Sequence, residues 1–257
     1  MSYEINPNRL SDSAGVPWEG RELEENRFAG DDGSAPEEFV TAISGFRSGD
    51  LGQANVVDAL RVSRLLVPLL AQLGESEIGA NGLKVDKSAE LSIVTVKAPD
   101  DQEALVVFSS VAAMQRWNPS ARPVPTDAIR VCLAAASQLS TRVVIDPGSE
   151  TEFVIRRPAI ARIAQSLAWQ PAELNPAVRG VIDQSVASES QVVDFELRSA
   201  DPEAKLAGAE LEVALKLVNG VSPADVRELL ERVSKYWAES EEFALAVDSV
   251  SIKLLAS

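Results

Sequence analysis

Three short runs near the C-terminus alternate apolar and polar residues with period two. Val193, Phe195 and Leu197 alternate with Asp194, Glu196 and Arg198; Leu211, Val213, Leu215 and Leu217 form the second run; Val250, Ile252 and Leu254 the third. Such alternation predicts strands with one buried face. Between the last two, Ser222-Pro223-Ala-Asp225 reads as a helix start, and Val226, Leu229, Leu230, Val233 and Trp237 then make one apolar stripe. Three one-faced strands and one one-faced helix can bury their apolar sides only against each other. The C-terminal part is therefore expected to be a small ββαβ layer domain.

Upstream, strand and helix signals are interleaved. Ser34-Ala-Pro36-Glu37-Glu38 opens a helix carrying Phe39, Val40, Ile43 and Phe46, and a second helix is expected over 53–62. The apolar run 65–71 has strand length, and Pro68 places it at an edge or a bulge. A loop is expected over 74–87, then a hairpin of 91–97 with 103–108, and then a helix capped by Ser109 or Ser110 that holds Val111, Met114 and Trp117. Residues 118–125 read as a proline-punctuated loop. Thr126 and Asp127 open a helix with Ile129, Val131 and Leu133. Strands at 142–145 and 152–156 are joined by Asp146-Pro-Gly-Ser149, and Pro158 starts a helix whose Ile160, Ile163, Ala164 and Leu167 share a face.

The expected class is α+β: a mixed-sheet N-terminal domain with flanking helices, followed by the ββαβ domain. The expected division is an acidic arm over 1–35, the N-terminal domain over 36–170, a linker over 171–185 where Gln170-Pro171 and Asn175-Pro176 interrupt regular structure, and the C-terminal domain over 186–257. Trp18, Leu23 and Phe28 within the arm are anchors that would let it pack as an extended strap.

Composition excludes more chemistry than any motif suggests. The chain has no histidine and one cysteine, Cys132. Ser-His-Asp and Cys-His nucleophilic pairs are therefore impossible within one chain, and so are the usual His- or Cys-rich zinc sites. A net charge of −15 disfavours nucleic acid and anionic membranes. No apolar run approaches the roughly 18 residues of a membrane-spanning helix, and the start carries no secretory pattern. A cytoplasmic protein is expected, with no cofactor and no metal.

Candidate binding residues are few. Asp146 and Ser149 flank a Gly-containing turn that could present amides to an anion or simply reverse the chain. Trp117 and Arg122 border the proline loop and are residue types enriched at binding hot spots. Arg156 and Arg157 could grip an acidic group or balance nearby acids. Asp31, Asp32, Glu37 and Glu38 gather carboxylates, without calcium-loop spacing. Cys132, among Val, Leu and Ala, reads as a buried thiol.

In order, Leu65-Leu-Val-Pro68, Ala104-Leu-Val-Val-Phe-Ser109, the helix ending at Trp117, Arg122-Pro-Val-Pro125 and Val144-Ile-Asp-Pro-Gly-Ser149 resemble the SseB-like family, named for an enhanced serine sensitivity phenotype. The arm from Gly15 to Leu23 and from Phe28 to Gly33 is similar to one in a bacterial branch of that family, and the C-terminal unit resembles its second domain. The resemblance implies an α+β fold and no catalytic residues to carry over. It points to a non-enzymatic module that binds a protein partner or a small ligand, with a link to amino-acid metabolism. The alternatives are a histidine-independent enzyme using carboxylates or a divalent metal, and a homodimer joined through the one-faced sheets.

Overall fold

The computed structural model describes residues 28–70, 77–78, 84–85, 94–97, 102–137 and 142–256. Most of the N-terminal arm, including Trp18 and Leu23, lies outside them. Residues 1–32 and 33–257 are separate compact units. Of the first, Phe28–Asp31 form a turn, with the Asp31 amide donating to the Phe28 carbonyl.

The second unit begins with helices α1 (Glu37–Ser48) and α2 (Gln53–Arg61), then strand β1 (Arg64–Leu69). The pairs β2 (Glu77–Ile78) with β3 (Lys84–Val85) and β4 (Thr95–Lys97) with β5 (Glu103–Val107) follow. Next come α3 (Val111–Trp117), β6 (Arg122–Asp127), α4 (Ala128–Ser137), β7 (Arg142–Ile145), β8 (Phe153–Arg156) and α5 (Arg157–Ala164). After a 3-10 turn at Ala172–Leu174 come α6 (Pro176–Val186), β9 (Val192–Ser199), β10 (Leu211–Leu217), α7 (Pro223–Glu239), α8 (Glu241–Ala246) and β11 (Val250–Ala256). The class is α+β, as expected. Among the described residues no helix is long and apolar enough to cross a membrane.

The central sheet has the order β4-β5-β7-β8, with β5 and β7 parallel and the outer pairs antiparallel. Its inner strands are apolar on both faces because both faces are covered. Leu105, Val107, Val143, Ile145, Phe153 and Ile155 join the main core, to which α1, α2, α4 and α5 contribute Ile43, Leu60, Val131 and Ile163. Ala104, Val144 and Val154 point the other way and are covered by Leu206, from the loop between β9 and β10. That loop also closes the sheet edge, since the Val154 amide donates to the Ala204 carbonyl at 2.8 Å.

Residues 122–127, expected as a loop running into a helix start, are instead strand β6, antiparallel to β1. The prolines fit because Leu66 spends both backbone groups on Phe108, at 2.8 and 2.9 Å. Its pairing with Pro125 is therefore a non-hydrogen-bonded one. Alternation gives the Pro68–Pro123 pair the same character, so no ladder amide is missed. The expected linker is also structured. Asn175 caps α6 by accepting from the Ala177 amide at 3.0 Å, and Pro176 takes the first helical position. Asn-Pro here starts a helix, whose Val178 and Ile182 enter the C-terminal core. Leu167, expected on the buried face of α5, lies beyond the end of the helix, past Ser166 at φ 58°, and is exposed.

In the C-terminal sheet β10 is central, antiparallel to β9 and parallel to β11. The chain order is ββααβ, because α8 adds a turn of helix that seats Phe243 on Trp237 at 5.8 Å. Register shifts where Lys216 faces Asp194 but Leu217 faces Val192. The unpaired Val193 is turned outward and exposed, contrary to its place in the alternation.

A buried ionic network joins the two halves. Arg156 donates to Asp201 at 2.6 Å and Asp248 at 3.3 Å, and Arg142 donates to Asp248 at 2.7 Å. Beside them Glu210 accepts the Asp248 amide. Burial is the main influence on the Glu210 carboxyl, reinforced by the Asp248 and Glu173 carboxylates and opposed by the Asp248 amide and Arg156; it is pushed up to about 7. The folded state thus holds a proton that the unfolded chain releases at the ordinary glutamate value of 4.5. Glu210 therefore destabilises the fold progressively as pH rises from about 4.5 to about 7, by roughly 3 kcal/mol in full. Urea titrations of Glu210→Gln are expected to show a gain of roughly 2 kcal/mol at pH 8 that fades by pH 5. Parallel pH profiles for the variant and the natural chain would refute this.

Candidate functional site

The carboxyl ends of β5 and β7, the parallel pair, are the natural place for a site, because their connections diverge there. β5 runs into Phe108 and Ser109; Ser110 then caps α3, accepting from the Ala113 amide at 3.1 Å. β7 runs into Asp146, whose amide continues the ladder by donating to the Val107 carbonyl at 3.0 Å.

Asp146 has φ 49° and is 1% exposed. Its carboxylate accepts from the Ser109 amide at 2.8 Å, the Ser109 hydroxyl at 2.6 Å and the Thr151 hydroxyl at 2.8 Å. Burial is the strongest influence on this carboxyl and raises it above the usual range, against the pull of those donors and of Arg116. The following Pro147 and Gly148, at φ 75°, complete a four-residue turn closed by the Ser149 amide on the Asp146 carbonyl at 3.1 Å. The Gly148 amide donates to the Glu152 carboxylate, and the Ser149 hydroxyl accepts from the Thr151 amide at 3.1 Å. The turn thus spends these groups on its own geometry.

Above it opens a cleft of about 420 Å³, lined by Ala113, Arg116 and Trp117 of α3 and by residues 147–151. Trp117 is half-buried, its ring tilted 44° against Phe108 with centroids 5.3 Å apart, so one edge anchors it in the core. Arg116 is exposed. The structure thus brings Trp117 and Ser149 to one cleft and sets Asp146 beneath it through Thr151. Arg122 is elsewhere, exposed at the start of β6 opposite Leu69. Arg116 escaped the sequence reading, although its place next to Trp117 in α3 was a usable signal.

The other candidates have structural occupations. Arg156 belongs to the buried network, and Arg157 donates to the Ala244 and Val247 carbonyls, tying down α8. Cys132 is fully buried, and burial pushes its thiol up to about 12. Among the described residues no three carboxylate or thiol groups are placed to hold a metal ion. A larger groove of about 580 Å³ between α5 and α8 has Arg162 at its rim, but that guanidinium donates to the Ala168 carbonyl at 2.9 Å.

Residues 37–162 match the family model of the SseB protein N-terminal domain. Over this stretch the chain is an SseB-family domain. No curated protein and no solved structure matches it. The match contains every residue lining the 420 Å³ cleft, so the cleft is built by the SseB domain alone. Asp201, Glu210 and Asp248, which complete the ionic network, come from outside the matched stretch.

Proposed function

We propose that this SseB-family chain is a non-enzymatic, cytoplasmic binding protein whose cleft holds a small ligand bearing a carboxylate. The observation that carries this reading is how the polar groups around the cleft are used. Ser109 and Thr151 both donate to Asp146, and Asp146 is sealed beneath them. Facing outward are a guanidinium, Arg116, beside an aromatic edge, Trp117, and one carboxylate, Glu150, which suits the ammonium group of an amino acid as Arg116 suits its carboxylate. Arginine pairs with carboxylates through a planar fork, and an indole supplies contact area at little entropic cost. Amino acids have the required chemistry, which agrees with the family's serine-sensitivity name. The rival reading, an enzyme working through carboxylates, would require the sealed Asp146 or the exposed Glu150 to act on substrate.

Thermal melts with a panel of amino acids and short dicarboxylic acids test the proposal. A ligand at a hundredfold excess over Kd is expected to stabilise the protein by about 2.7 kcal/mol, and Arg116→Ala is expected to abolish that shift. A panel compound chemically converted by the natural chain but not by Asp146→Asn would overturn the reading in favour of catalysis. A panel without any shift would overturn the ligand class.

A further inference from the structure

A second, much smaller cavity lies on the seam between the SseB domain and the C-terminal part. Its volume is about 10 Å³, and its walls include Gln53, Arg156, Trp169 and Glu210. This is close to the room one water molecule needs. Two of these side chains bring polar atoms that no group among the described residues satisfies. Glu210 is 7% exposed; one of its carboxylate oxygens accepts the Asp248 amide, while Oε1 has no partner. Trp169 is 9% exposed, and its indole Nε1–H has no partner either. Buried polar atoms left unpaired are strongly disfavoured.

The two atoms are complementary without being bonded to each other. One is an acceptor and the other a donor. A metal cation would suit the carboxylate but meet the positive end of the indole N–H; an anion would meet the reverse conflict. Water can accept from the indole and donate to the carboxylate at once. We propose that this cavity is a binding site for a single water molecule bridging Trp169 Nε1 to Glu210 Oε1 across the seam. Loss of the Glu210 charge changes what the water donates to, so the indole reports the protonation of a carboxyl buried in the ionic network. The charged groups facing that carboxyl are Asp248, Arg156 and Glu173, with Asp201 and Arg142 completing the network.

The test is nuclear magnetic resonance on the full ¹⁵N-labelled chain, with the Trp169 indole signal assigned by its loss in Trp169→Phe. The expected result is magnetisation transfer between that N–H and a long-lived bound water. Its chemical shift should also titrate with a midpoint near 7, and this titration should vanish in Glu210→Gln, whose amide keeps the shape of the site. An indole signal without bound-water transfer would overturn the proposal. So would an indole shift that titrates in Glu210→Gln as it does in the natural chain.

Discussion

Asp201→Ala is expected to destabilise the protein by about 4 kcal/mol, the largest effect of any single substitution considered. The Asp201 side chain is 2% exposed and accepts from the Arg156 guanidinium at 2.6 Å. It also accepts from the Leu206 amide at 2.8 Å, the Lys205 amide at 3.1 Å and the Ala207 amide at 3.2 Å. Those amides belong to a loop in which Ala204 and Leu206 both have positive φ, at 50° and 60°. Non-glycine residues persist there only where the surroundings over-determine them. The carboxylate holds the loop in the shape that inserts Ala204 and Leu206 against the central sheet.

Removing the carboxylate takes away the shorter of the two ion pairs of Arg156 and leaves it only Asp248, shared with Arg142; breaking a buried pair typically costs about 3–5 kcal/mol, and the loop is released as well. Asp201→Asn retains acceptor capacity for the amides and should lose roughly half as much. In Arg156→Met the Asp201→Ala change should cost clearly less, because the two residues act through one interaction. Urea unfolding measures all three. A loss below about 1 kcal/mol for Asp201→Ala would remove the carboxylate from any role in joining the halves.

Asp146→Ala is expected to cost about 3 kcal/mol, for a different reason. Three donors converge on this carboxylate, and each buried donor left unpaired costs about 1–3 kcal/mol less whatever water recovers. Alanine would also have to hold φ near 49°, a conformation that aspartate and asparagine tolerate better. Asp146→Asn should therefore be milder, at about 1–2 kcal/mol. Because Thr151 lines the cleft and Ser109 precedes α3, Asp146→Ala should also shift Trp117 fluorescence, read against a Trp117→Phe control. Unchanged stability together with unchanged Trp117 emission would show that the turn is held by its backbone alone.

Much of the fold was legible because it depends on residues close in sequence. The alternation in β10 and β11, the Ser222-Pro223 start of α7 and the Pro-Gly turn after Asp146 are local signals, and each has its structural counterpart. Local reading failed where a partner reset the meaning of a residue. Pro123 and Pro125 looked like loop breakers until β1 offered them non-hydrogen-bonded positions. Val193 kept the apolar period but was displaced by a one-residue bulge against β10. Asn175-Pro176 has the composition of a linker and equally that of a helix start; burial of Val178 and Ile182 decides between them.

The candidate site divides in the same way. The absence of histidine and the solitary Cys132 bounded the chemistry from the sequence alone, and Trp117, Asp146 and Ser149 were visible as candidates. That Trp117 and Ser149 share a cleft while Arg122 does not depends on the parallel pairing of β5 with β7, which brings together turns 37 residues apart in the chain. The seam is further still from local reading. Arg142, Arg156, Asp201, Glu210 and Asp248 span more than a hundred residues, and nothing near any of them marks it as buried. Sequence by itself determined the class of fold and the reactions ruled out, since those follow from local periodicity and from which side chains exist. Tertiary structure alone decided which charges meet and which are dry, because desolvation and pairing depend on neighbours that only folding supplies.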